Sequence, residues 1–302
     1  MTSFALGDRL DRWLIKRGFR AGHPLATLRL IEARRRLASV GGASRRAPQT
    51  GGSGLIPRQT GYHLFGPDAF AELPAVVAAC EAVYANHIEQ AENVTAYGKR
   101  YFFNLMTADD LRQHPVLLDL ALSPTVTAAV TGYLRHRPRL HSLGVFYSSV
   151  TDTIDGSQMF HVDGDCLAQV KCFVNIWNTG GDSGAFTFLP SRATSGSLRH
   201  RGLLKTINDA DVFREVSPEQ LVVASGPPGS GCMVDTSRCL HQGSRARERP
   251  RLVFQFQYVS RPDALIARDL VKPKPGGNFV VTRRSIAGMT PANPDWEAYV
   301  DE

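Results

Sequence analysis

RLVFQFQYV, residues 251–259, alternates strictly. Arg251, Val253, Gln255 and Gln257 share one side of an extended chain, and Leu252, Phe254, Phe256 and Tyr258 share the other. Successive side chains of a strand point to opposite faces, so this segment has one wholly apolar face and one that is polar at three of four positions. A face of the second kind is not ordinary core; it meets water or lines a cavity. If the apolar face packs on helices, the polar face is left for the inside of a barrel.

The neighbouring segments share this texture. LHSLGVFYSSV (140–150), QVKCFVNIW (169–177), GAFTFL (184–189) and SGCMVDTS (230–237) are short and rich in β-branched and aromatic residues, with Gly-containing turns NTGGDSG and SGPPGSG between them. Upstream, AFAELPAVVAACEAVYANHIEQ (69–90) and HPVLLDLALSPTVTAAVTGYL (114–134) carry long apolar faces, and residues 61–134 read as helical. Strands after helices, with no βα alternation, predict an α+β chain whose second half is a sandwich or barrel. Residues 55–302 read as one domain: a helical layer over 55–138, a β core over 139–262 and a largely irregular extension over 263–302. The stretch 191–230 is too long for a hairpin and is expected to contribute a lid.

Residues 1–54 read differently. Two amphipathic helices are expected over 4–20 and 24–38, then a Gly/Ser/Pro-rich linker over 40–54. The chain of 302 residues carries a formal net charge of +7, but residues 1–50 hold eleven Lys/Arg against three Asp/Glu, leaving the remainder at −1. The basicity belongs to this arm, so nucleic acid is not an expected partner of the body. The arm either lies on the body with its arginines in water or touches a membrane surface or protein partner through residues 1–40. No stretch reads as the roughly 20 apolar residues of a spanning helix, and the start lacks a secretory pattern. Five scattered cysteines (Cys80, Cys166, Cys172, Cys232, Cys239) suit a reduced compartment, and the expected location is cytoplasmic.

Chemistry concentrates at two places. In extended backbone His161 and Asp163 project to the same side, so they can present an imidazole and a carboxylate together. Beyond GCMVDTS the chain delivers His241, and ten residues later Arg251 opens the strand described above. Two histidines and one carboxylate from neighbouring strands form the facial triad of non-heme iron(II) oxygenases, with metal positions left open. A surface His–Asp ion pair is the plainer alternative. Cys232 and Cys239 lack the spacing of a zinc knuckle.

With Gln158-Met-Phe-His161-Val-Asp163, GAFTFLPS (184–191), the run ending at His241 and Arg251 in RPRLVFQFQY, the sequence resembles the phytanoyl-CoA dioxygenase family of iron(II)/2-oxoglutarate oxygenases over roughly residues 61–258. The resemblance implies a double-stranded β-helix (a jelly-roll, cupin-like barrel) with helices packed on one sheet. It implies Fe(II) held by His161, Asp163 and His241, and Arg251 pairing through its planar fork with the distal carboxylate of 2-oxoglutarate. Trp177, Asn175, Lys171, Tyr147 and Ser149 are further cosubstrate candidates, and Gln158, Gln255, Gln257 and Arg192 are substrate candidates. The implied reaction is O2-dependent hydroxylation of a small organic substrate giving succinate and CO2; Asp163 stands where related halogenases have a small residue. Where the family often has Pro-Gly-Ser-His, this chain has Leu189-Pro190-Ser191-Arg192, which loosens the analogy for substrate. Arg192, Arg199, Arg201, Arg238, Arg245 and Arg247 flank the expected mouth and suggest an anionic, carrier-linked or CoA-linked substrate. A barrel retained as a binding or regulatory module, and an iron oxygenase without 2-oxoglutarate, remain open alternatives.

Overall fold

The computed structural model describes residues 54–93, 101–135, 137–164, 168–260 and 278–301. The expected helix pair over 4–38, nearly all of the linker, Cys166 and residues 261–277 lie outside the described residues. Among the described residues ten strands occur, in the order β1 (Tyr62–Phe65), β2 (Phe103–Asn104), β3 (Arg139–Ser148), β4 (Gln169–Asn175), β5 (Thr187–Phe188), β6 (Val222–Val223), β7 (Gly231–Val234), β8 (His241–Gln242), β9 (Arg251–Val259) and β10 (Phe279–Val280). The larger antiparallel sheet runs β1-β7-β4-β9-β3-β10, with β2 also paired to β3; the smaller runs β6-β5-β8. An isolated bridge between His161 and His241 extends the smaller sheet by one more chain crossing. Together they form a double-stranded β-helix.

The alternation of β9 is realised as read. Leu252, Phe254, Phe256 and Tyr258 enter the core between the large sheet and the helices, while Val253 joins a separate cluster with Phe146, Phe173, Phe186 and Phe188 between the sheets. Phe173 of the large sheet and Phe186 beside the small one stack with ring centroids 4.2 Å apart, which closes one side of the lumen. Burial of each outer-face aromatic contributes on the order of 2–3 kcal/mol. The Tyr258 hydroxyl also donates to the Ala121 carbonyl, fixing helix against strand.

The helical layer comprises α1 (Leu73–Asn93), α2 (Ala108–Gln113), α3 (Val116–Leu122) and α4 (Pro124–Leu134). Leu73, Val76, Cys80 and Val83 recur at helical spacing on α1 and are fully buried. Thr107 and Asp110 form a capping box at the start of α2, and His87 Nε2 lies 2.8 Å from Asp110, tying α1 to α2. Residues 116–134 are long and apolar enough to cross a membrane by composition alone, a run the sequence reading passed over. Here the run is two helices divided at Ser123, whose side chain caps the second, with Pro124 at its first turn.

Two expectations change. The 61–134 region is not wholly helical: β1 pairs with β7 along its length and β2 pairs with β3, so this region also edges the sheet. The 191–230 stretch is a packed cover more than a lid. It holds α5 (Gly196–Leu204) and α6 (Asp209–Phe213), and Leu198, Ile207, Val212 and Val216 form a cluster with Phe160, Val162, Leu189 and Leu240 behind the small sheet. Its apolar residues had to be buried, and the back of the small sheet was the surface left for them.

Candidate metal centre

The small sheet and its extension position three side chains. His161 and His241 exchange backbone hydrogen bonds of 2.8 and 2.9 Å, which sets their rings 4.2 Å apart by centroid. Asp163 is held two residues on by its amide, which donates to the Thr236 carbonyl at 3.0 Å. The Nε2 atoms of His161 and His241 lie 3.8 and 3.6 Å from the Asp163 carboxylate. One ligand atom from each residue falls within 4.8 Å of the others.

The tautomers follow from the backbone. Nδ1 of His161 lies 2.9 Å from the Met159 carbonyl, and Nδ1 of His241 lies 2.9 Å from the Cys239 carbonyl. A carbonyl only accepts, so each Nδ1 carries a proton, and Nε2 is the ring atom that each histidine turns toward Asp163. Burial, with the neighbouring His161 and Lys171 charges, pushes His241 down to about 3 against the pull of Asp163. Burial alone would raise the Asp163 carboxyl, but Lys171, His241 and His161 together hold it well below the usual carboxylate range. A neutral His241 beside an ionised Asp163 is the protonation state in which both can ligate a divalent metal. Among the described residues this is the donor set that fits such an ion.

Arg251 is 2% exposed and projects into the lumen. Its Nη1 donates to the Gly184 carbonyl at 2.8 Å and its Nη2 to Ser244 Oγ at 3.4 Å, while the buried Nε has no acceptor. Among the described residues no carboxylate pairs with it. Burial lowers it to about 10, so it stays charged at neutral pH. Both residues that hold it have positive φ, 71° for Gly184 and 60° for Ser244. At Gly184 a Cβ would sit 2.5 Å from the amides of Arg245 and Ala246, so only glycine fits.

The remaining candidates divide. Lys171 faces the lumen, its Nζ 2.7 Å from the Asp163 carboxylate. Gln255 is buried and shows no hydrogen bond among the described residues, which leaves its amide available. Gln257 is committed to Gln169 and Ser142, and Gln169 in turn to Thr236. Asn175 ties β4 to the Ala224 carbonyl and Ser230. Gln158 is fully buried and spends its amide on the Ser244 carbonyl and the Asp155 amide. These three pin loops and strands. Trp177 and Tyr147 lie on the other face of the large sheet, around Tyr84 of α1, so the expected cosubstrate contact does not suit them. Ser149 is half-buried just beyond β3, and Arg192 is exposed.

Sequence reasoning missed Gly184 and Ser244, the groups that aim Arg251. It also missed Phe186, whose ring centroid stands 5.3 Å from that of His241. Gly184 lay in a turn already noted. Nothing in the local sequence marks Ser244, because its role depends on the chain turning back over the seven residues that separate it from Arg251.

The expected basic mouth is also revised. Arg201, Arg245 and Arg247 pair with Glu215, Asp209 and Asp152 respectively. A cleft of about 300 Å³ is lined by Ile154, Gly184, Thr187, Val223, Gln242 and Arg245, among others; neither His241 nor Arg251 lines it. Its charge is largely neutralised, which weakens the case for an anionic substrate there.

No protein-family model matches this sequence, and no curated protein matches it. Solved structures do. EctD from S. alaskensis in its apo form aligns with a TM-score of 0.49 at 13% identity, covering 78% of this chain and 88% of that one. The non-heme alpha-ketoglutarate-dependent epimerase SnoN from nogalamycin biosynthesis aligns at 0.44 and 17% identity, covering 69% and 79%. HygX from Streptomyces hygroscopicus, with nickel and 2-oxoglutarate bound, aligns at 0.43 and 15%, covering 67% and 84%. At such scores the fold rests on the strand pairing itself, and the chemistry on the side chains that converge.

Proposed function

We propose that this chain is an Fe(II)- and 2-oxoglutarate-dependent oxygenase that hydroxylates a C–H bond of a small organic molecule, consuming O2 and releasing succinate and CO2. The observation that carries this reading is the convergence of His161, Asp163 and His241, with two Nε2 atoms and a carboxylate oxygen turned toward one another. The buried, uncompensated Arg251 supports it, since a lumen guanidinium without a carboxylate calls for an anionic ligand. In this reading His161, Asp163 and His241 hold the metal and Arg251 holds the distal carboxylate of 2-oxoglutarate through its fork. Bound iron supplies the oxygen activation that no side chain here performs. Gln255 is the polar lumen group left to orient what enters, and Phe173 and Phe186 exclude water from that side.

A metal-free binding module has one observation in its favour: the Lys171 ammonium already neutralises Asp163. One anaerobic titration decides. Adding Fe(II) and then 2-oxoglutarate should produce the weak visible charge-transfer band of the chelate, and Asp163→Ala should abolish it. No band with the unaltered protein would leave the binding module; a band with iron uptake but no response to 2-oxoglutarate would leave an oxygenase using another cosubstrate.

A further inference from the structure

Four arginines gather around Tyr133, at the end of α4, whose hydroxyl reaches Asp235. Arg58 donates through Nη1 to the Tyr133 carbonyl at 3.3 Å. Arg238 donates through Nη1 to the Tyr133 hydroxyl at 2.9 Å and to the Arg58 carbonyl at 3.1 Å. Arg135 caps α4 two residues beyond Tyr133, in the left-handed conformation at φ 62°. Arg199, on α5, reaches the Ser191 and Thr194 carbonyls through Nη2 at 3.4 Å each, and its buried Nε has no acceptor.

The charges there do not balance. Asp235 is the acid of the cluster, and its two oxygens are taken by the Tyr133 hydroxyl at 2.7 Å and by Ser237. Among the described residues none of the four guanidiniums forms a salt bridge. Burial and then the Arg135 charge depress Arg58, and burial and then the Arg238 charge depress Arg199. Arg238 is raised, because Tyr133 and Asp235 outweigh its burial, so Asp235 offsets about one charge of the four. Each guanidinium has five N–H donors, and here most of them meet no protein acceptor. Like charges assembled at a fixed spot with donors unspent are the chemistry of an oxyanion site, and a planar fork matches two oxygens of a tetrahedral phosphoryl group.

We infer that Arg58, Arg135, Arg199 and Arg238 form a binding site for a phosphoryl group, built from none of the metal ligands and without Arg251. This inference does not depend on the iron reading. The test uses the full chain and inorganic phosphate, titrated calorimetrically at ionic strength held constant with potassium chloride. Saturable binding at one site is expected. R199Q/R238Q should weaken it at least tenfold. R58Q/R135Q should weaken it at least threefold, and because both side chains are exposed this variant keeps the test decisive if the first fails to fold. R251K should bind phosphate as the unaltered protein does. Absence of saturable binding, binding unchanged in both double variants, or binding lost only in R251K would each overturn the inference.

Discussion

Arg251 shows how much a single side chain can reveal. A buried guanidinium with two carbonyl or hydroxyl acceptors and no carboxylate is costly to the fold, and the cost is repaid when an anion arrives. Replacing it should therefore separate stability from binding. Arg251→Met is expected to leave the metal-free protein no less stable in urea denaturation, while 2-oxoglutarate affinity falls roughly thirtyfold, on the order of 2 kcal/mol. A stability loss beyond about 3 kcal/mol would show that Arg251 serves the fold instead. His241 makes a second prediction at this scale. Its folded pKa is depressed to about 3 while the unfolded value is near 6.5, so the unfolded chain binds more protons between these values. Its contribution is present above pH 6.5 and is lost as pH falls toward 3, by up to about 1.4 kcal/mol per unit. Asp163, also depressed, adds a loss in the same direction at lower pH. Denaturation midpoints of metal-free protein at pH 7 and pH 4.5 check this; equal midpoints would contradict a buried neutral His241.

Elements act on the site from behind. Phe160 and Ile207 exchange backbone hydrogen bonds and the Val162 amide donates to Gly202, so α5 and its loop grip the segment that carries His161 and Asp163. Leu198→Ala, in the cluster beneath that grip, is expected to cost about 2–5 kcal/mol and to weaken metal affinity without touching a ligand. Metal titration of the folded variant checks the second half, and unaltered affinity would make the cover merely protective. Gly184→Ala introduces both a strained φ and a clash with backbone, so it should lower stability by more than about 1 kcal/mol and shift the carbonyl that aims Arg251. The expected readout is a raised 2-oxoglutarate Kd at unchanged metal affinity. The long elements were legible: β3, β4, β7 and β9 alternate or carry branched and aromatic runs, and α1 repeats its apolar residues at helical spacing. β5 lies inside GAFTFL, which reads as a strand; β2, β6, β8 and β10 are two residues each, too short for any period, and exist only because a partner strand is already in place.

Among the described residues the three apolar clusters draw on segments from Ile56 to Val300. If the basic arm serves docking or localisation, deleting residues 1–50 should preserve the thermal midpoint and the iron and 2-oxoglutarate response. A deletion product that fails to fold would make the arm part of the helical layer. The +7 of the chain likewise resolves by position, into an arm of about +8, ion-paired arginines near the cleft and an uncompensated group around Tyr133. What the sequence by itself determined was the set of local patterns: strand faces, helix faces, the His161–Asp163 spacing and the polar side of β9. Side-chain period is a property of the backbone, and it survives in any fold. The tertiary structure decided everything that depends on two distant segments meeting. It turned Trp177 and Tyr147 outward, bound Gln158 and Asn175 into the scaffold, set Lys171 on Asp163 and sorted the arginines into paired and unpaired. Those outcomes follow from which groups are left without partners once the sheets close, and no single segment carries that information.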